Sequence, residues 1–276
     1  GISPQYGPDG SMYLIDWHDR VPCHQQREFT DRTNGRMYRI SYGKAEPMKV
    51  DLQKASDAEL VAYQLHANDW FVRHARRILA ERGGNAEVHA ALKKILEENP
   101  EESRKLRALW ALHVTNGLNE GILLNLMSTG TEFVRAWAVQ LAAEDRELPE
   151  NNRWLQLGAV YNEQSAIVRR FYASAAGRLP LKDRMILLTP LAIRKEDAND
   201  PNIPQLLWYA AEPVVGGDRI IAGSLLIASE IPLLNRNIAR RMAVGSDHNK
   251  LADLLAVLEK TKSEHKATDI LTGINM

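Results

Sequence analysis

One cysteine in 276 residues excludes an internal disulfide framework and a cysteine-rich zinc site. An excess of either charge is also missing. Lys+Arg and Asp+Glu both number 35, so the chain has no global pull toward nucleic acid or an anionic membrane. No apolar run reaches the ~18 residues of a spanning helix. The opening GISPQYGPDGS is neither basic nor apolar, so a retained signal peptide is not expected. There is no glycine-rich phosphate loop and no Gly-x-Ser-x-Gly elbow; the Gly-Gly pairs at 83–84 and 216–217 read as helix ends. What remains is a neutral chain long enough to bury a large core.

Two textures divide it. SMYLIDW (11–17) and GRMYRISYG (35–43) are short, aromatic and β-branched, and the turn sequences GPDG and DRTNG precede them. They predict two antiparallel strands joined by a long loop, 18–34, marginal alone and in need of something to pack on. From about residue 51 the pattern is helical. Asp69, Ser103, Thr131, Ser165, Asp200 and Asn235 each carry a capping oxygen and are followed three residues later by Val72, Leu106, Val134, Val168, Ile203 and Ile238. These starts lie 28 to 35 residues apart, with a further helix between each pair. ATDILTGINM reads as the first turns of one more helix without a cap. A helix pair repeating at that period is the signature of an α-solenoid. The tetratricopeptide pattern is missing, and the Asp-x-x-Val-Arg start at 69–73 favours HEAT-like pairs. The expected fold is therefore mainly all-α: residues 1–50 form a two-stranded β segment with a long loop, and 51–276 a solenoid of about six to seven helix pairs.

Arg73, Arg107, Arg135 and Arg169 recur at one repeat position. Two readings stand. In one they form a basic stripe that holds an acidic partner; in the other, a ladder in which each planar guanidinium bridges to the next repeat. His66, His74, His89 and His113 lack metal-ligand spacing and read as packing or surface residues. Trp70, Trp110, Trp137, Trp154 and Trp208 read as packing between repeats, with an aromatic groove for a peptide as the alternative.

The densest chemistry is DWHDRVPCHQQ, 16–26. Cys23-His24 is the second half of a Cys-x-x-Cys-His haem motif, but the first cysteine would be residue 20, which is Arg20, so attachment through two thioethers is excluded. Asp16, His18, Asp19, His24 and Asp31 offer oxygen and nitrogen ligands for a metal, with Asp16 and His18 on one side of a strand. The alternative is a polar loop whose side chains cap its own backbone. Cys23 with His24 as its base is disfavoured, because sequence neighbours in an extended segment face apart.

GPDGSMYLIDWHDR…DRTNGRMYRISYG resembles the closing blade of the β-propeller in a family of bacterial membrane-bound dehydrogenases. ELVAYQLHANDWFVRHARRILAERG (59–83) resembles that family's first helical repeat, with Ala67 in place of a proline and Phe71 in place of a tryptophan. The resemblance is specific over residues 7–83 and generic for HEAT repeats beyond. It implies a fragment lying between a glucose-dehydrogenase-like propeller and a cytochrome c domain, extracytoplasmic, with haem c only in the downstream domain. No catalytic residue and no cofactor are then expected in this chain. Its partners would be the propeller and cytochrome domains of the same parent, and its role a non-catalytic scaffold between them. The alternative is a free-standing HEAT-type module that binds a protein or peptide.

Overall fold

In the computed structural model, residues 2–16, 35–44, 46, 48–144, 159–244 and 248–276 are described. The chain divides into two compact units, Gly1–Gly117 and Leu118–Met276. Fourteen α-helices and one small sheet make up the regular structure among the described residues.

The first unit opens with three strands rather than two. β1 (Ile2–Tyr6), β2 (Met12–Ile15) and β3 (Met37–Ile40) form an antiparallel sheet in that order. ISPQY was not legible as a strand because Pro4 interrupts it, Ser3 has φ of 52°, and the register with β2 is irregular between Ile2 and Gln5. The GPDG turn behaves as its sequence demands: Gly10 has φ of 77° and donates its N–H to Gly7 O at 3.1 Å. Asp9 ties the turn to the strands. It accepts from Ser11 N at 3.0 Å and Tyr13 OH at 3.2 Å, and pairs with Arg39 on β3 at 2.6 Å. Tyr6, Met12 and Ile40 stand opposite one another, as do Leu14 and Tyr38. Opposed and alternate residues share a face, so these five place apolar or aromatic side chains on one side of the sheet. Tyr6, Tyr38 and Ile40 remain exposed on it.

Four helices complete this unit: α1 (Asp57–Ala62), α2 (Asp69–Arg82), α3 (Ala86–Glu98) and α4 (Glu102–Val114). A full capping box starts α1, with Glu59 N donating to Ser56 Oγ and Ser56 N to the Glu59 carboxylate. Asn68 starts α2 by accepting from Trp70 N at 2.9 Å, and its amide also donates to Gly7 O at 2.9 Å and Pro8 O at 3.2 Å. One residue thus caps a helix and seats the sheet's turn. α1 packs on α2 and α3, and α4 packs on both α2 and α3, burying Leu60, Val72, Leu79, Leu92, Leu109 and Leu112 completely.

The second unit holds α5 (Glu120–Thr129), α6 (Glu132–Ala142), α7 (Ala159–Asn162), α8 (Ala166–Ala176), α9 (Met185–Ala192), α10 (Ile203–Gly217), α11 (Arg219–Ala228), α12 (Pro232–Ala243), α13 (His248–Lys260) and α14 (Glu264–Asn275). Two layers result. α6, α8, α10, α12 and α14 pack in succession, α7, α9, α11 and α13 do likewise, and consecutive helices from α8 to α13 join the layers. The core between them is aliphatic: Leu187, Leu188, Leu191, Ile203, Leu207 and Leu225 are fully buried. Burying one such side chain contributes about 1.5–3 kcal/mol. Where α14 crosses α12 the backbones nearly touch, and a Cβ on Gly273 would lie 2.2 Å from Arg236 O.

Several helix starts differ from the expected caps. Thr131 and Ser165 stand at N-cap positions, and Ser165 Oγ accepts from Val168 N at 3.3 Å. Asp69 and Ser103 lie just inside their helices, which Asn68 and Glu101 precede. Asp200 caps α10 from the loop, through Asn202 N and Ile203 N at 2.8 Å each. Asn235 is a buried residue of α12, which starts three residues earlier at Pro232, where proline's missing N–H has no cost. The last helix does have a cap: Ser263 accepts from Lys266 N.

Candidate functional site

Of the five proposed metal ligands, Asp16 is the one on the described chain. It follows β2, donates its N–H to Arg36 O at 2.8 Å and accepts weakly from Tyr38 OH at 3.4 Å. His18, Asp19, His24 and Asp31 lie outside the described residues, as do Cys23 and Trp154. Among the described residues no group of three or more His, Cys, Asp or Glu side chains is placed to hold a metal. The ring nitrogens of His66, His74 and His89 bond to backbone groups of Asn68, Trp70 and Thr115 respectively. No helix among the described residues is long and apolar enough to cross a membrane.

The repeated arginines fall into two geometries. Arg135 is the fourth residue of α6. It grips Glu163, in the turn before α8, through Nε at 3.2 Å and Nη2 at 2.9 Å. Arg169 is the fourth residue of α8. It grips Asp197, in the turn before α10, through Nε and Nη2 at 2.6 Å each. The two bridges are continuous. Glu163's carboxylate serves Arg135, while its carbonyl accepts from Arg169 Nη1 at 3.0 Å, beside that of Gln164 at 2.9 Å. Arg169 and Asp197 are buried, with 5% and 2% of their side chains exposed. The Asp197 carboxylate raises the pKa of the Arg169 guanidinium, the hydrogen bonds outweighing burial.

Sequence reasoning missed the ion pairs that continue along this unit. Arg219 pairs with Asp253, Arg236 with Asp269 at 3.3 Å, and Arg241 with Glu212 at 3.0 Å. Each joins helices next but one in order, a spacing of 29 to 34 residues. The signal available was arginine and carboxylate one repeat apart, which a solenoid period makes common by chance.

In the first unit the arginines cluster instead. Arg73 pairs with Asp69 one turn before it, at 3.1 Å, and is half exposed. Arg107 reaches back from α4 to His66 O at 3.0 Å and Asp69 at 3.3 Å, and Arg104 meets the same carbonyl at 2.7 Å. Arg76 lies over the Trp110 ring, 5.4 Å from its centre. Burial lowers the Arg76 pKa, with the charges of Arg107 and Arg73 acting in the same sense against Asp69. These four cations and Asp69 are placed to orient the start of α2 against α4.

A groove lies among the described residues of the second unit. Gln140 of α6, Arg170, Phe171 and Ser174 of α8, and Asn202 and Leu206 at the start of α10 enclose about 300 Å³. Phe171 leans on Trp137, ring centres 6.1 Å apart. Compared with known proteins, the chain matches no protein-family model and has no similar curated relative.

Proposed function

We propose that this chain is a non-catalytic helical-repeat scaffold that holds neighbouring domains at a fixed separation and orientation. The observation that carries the reading is the continuous bridge from Arg135 through Glu163 and Arg169 to Asp197. It occupies the repeated arginines of the second unit within the stack and takes them out of play for an acidic partner. Residues 7–83 point to the parent: an extracytoplasmic oxidoreductase with a propeller on one side and a c-type cytochrome domain on the other. The uncovered apolar face of the three-stranded sheet supports this reading, since a neighbouring sheet covers such a face at about 10 Å.

Two experiments test the proposal. The reading frame around this chain is expected to encode propeller blades upstream and Cys-x-x-Cys-His downstream; an unrelated frame on both sides overturns the parent assignment. For rigidity, spin labels at Ser128 and Thr272, with Cys23 replaced by serine, report a distance across the second unit. A narrow distribution that broadens in Arg169→Gln is expected. A broad distribution in the parent chain overturns the scaffold.

A further inference from the structure

Arg170 is one residue beyond the ladder, and its guanidinium forms no hydrogen bond or ion pair with any described residue. That sets it apart from Arg135, Arg169, Arg219, Arg236 and Arg241 of the same unit, all of which close on carboxylates. Arg170 lines the groove of about 300 Å³ between α6, α8 and α10, and no carboxylate lines it with Arg170. Arg178, on the Gln140 side, is met by a neutral group: the Gln140 amide oxygen, in the orientation that satisfies its hydrogen bonding, accepts from Nη2 at 2.8 Å and Nη1 at 3.2 Å. The carboxylate nearest to Asn202 in sequence, Asp200, is committed to the backbone of Asn202 and Ile203.

We propose that this groove is a docking site for an acidic peptide, with Arg170 taking a glutamate or aspartate side chain of the peptide in a two-pronged ion pair. The rest of the lining suits that occupant. Phe171 and Leu206 offer apolar surface for a neighbouring side chain, and the Ser174 hydroxyl and Asn202 amide offer both donors and acceptors for a peptide backbone. Guanidinium geometry matches a carboxylate fork. A nucleic-acid strand is a poorer match, because it engages several cations along its phosphates and this lining holds one. The solvent-facing Asn202 leaves the groove open, which suits an extended segment better than a small molecule that would be mostly enclosed. The site goes beyond the scaffold reading, since it uses Arg170 and not the bridged arginines.

The test is a fluorescence-anisotropy titration of the full chain with a labelled peptide of alternating leucine and glutamate, against the same peptide with glutamine for glutamate. The glutamate peptide is expected to bind at least tenfold tighter, and to weaken as salt is raised. Arg170→Gln removes that preference while far-UV circular dichroism stays unchanged. Ser174→Trp, which fills the groove, abolishes binding of both peptides. Arg240→Gln, an exposed arginine outside the groove, leaves both affinities as they were. Equal binding of the two peptides, an Arg170→Gln variant that keeps the preference, or no saturation by about 1 mM overturns the site. None of these outcomes bears on the scaffold, which stands or falls with the label distances and the bridged pairs.

Discussion

Asp197→Asn keeps the shape of a buried side chain and removes its charge. Asp197 receives two bonds from Arg169 at 2.6 Å each, and neither partner has meaningful access to water. Asparagine offers one oxygen and one NH2, so one guanidinium N–H keeps an acceptor and the other faces a donor. The Arg169 charge then has no buried counter-charge, and breaking such a pair costs about 3–5 kcal/mol. A domain is typically stable by only about 5–15 kcal/mol. For a unit of this size the loss corresponds to a fall in Tm of roughly 6–20 °C. Arg169→Met should cost a similar amount, because it strands the Asp197 carboxylate and frees the carbonyls of Glu163 and Gln164. The double variant Arg169→Met/Asp197→Leu should recover much of the loss, since an apolar pair carries no desolvation penalty. Thermal unfolding followed by circular dichroism, with urea midpoints beside it, reads all three. A loss below about 1 kcal/mol in Asp197→Asn, or one that shrinks strongly with salt, would mean the pair behaves as a surface pair and would refute the reasoning.

Burial, helped by the charge of Glu163 against that of Arg135, pushes the Tyr172 hydroxyl up to about 12 from an ordinary 10.0. Above pH 10 the unfolded chain loses this proton while the folded chain keeps it, so stability complete below 10 falls between about 10 and 12, by about 3 kcal/mol. Urea midpoints against pH should flatten over this window in Tyr172→Phe; an unchanged slope sinks the assignment. Gly273→Ala places a Cβ 2.2 Å from Arg236 O and 2.9 Å from the Ala239 Cβ, forcing α12 and α14 apart. Overpacking should outweigh alanine's better helix propensity, for a net loss of about 1–2 kcal/mol, and a raised Tm would contradict the close crossing. Asn68→Ala removes the cap of α2 and both bonds to the Gly7–Pro8 turn. It should cost about 1–2 kcal/mol and speed amide exchange in β1 and β2, whereas exchange at the parent rate would mean the sheet does not rest on Asn68.

The helices were legible where an aliphatic stripe and a capping residue type agreed, as at Thr131 and Ser165, although Ser165 makes the capping hydrogen bond and Thr131 does not. They were misplaced where an equally good capping residue lay inside the helix. Asp69 is preceded by Asn68, which does the capping, and Asn235 is preceded by Pro232, which starts the helix without any side-chain cap. Local preference ranks neither the adjacent caps Asn68 and Asp69 nor a start at Pro232 against one at Asn235; packing does, by choosing which turn of the helix meets its neighbour. β1 was invisible for the opposite reason. Its Ser-Pro-Gln centre carries little strand preference, and pairing with β2 holds the segment extended. The groove was also out of reach of sequence, since Gln140, Arg170 and Asn202 are brought together only by the layering of α6, α8 and α10.

The ladder marks where sequence spacing stops being informative. Arg135–Glu163 and Arg169–Asp197 are both 28 residues apart, and so are Arg73 and Glu101. Yet Arg73 turns to Asp69 and Glu101 meets Arg104. The difference is not one of helix face, since Val72, Val134 and Val168, the residues just before Arg73, Arg135 and Arg169, are all buried. Arg73 has a carboxylate four residues before it on its own helix, Asp69, where Arg135 and Arg169 have Thr131 and Ser165. At α10 the chemistry is absent: its fourth residue is Leu206, and the residue 28 further on is the buried Leu234. The bridge ends there for want of both partners. Leu206 lines the groove beside Arg170, so the site inferred for an acidic peptide opens at the position where the stack no longer supplies its own carboxylate.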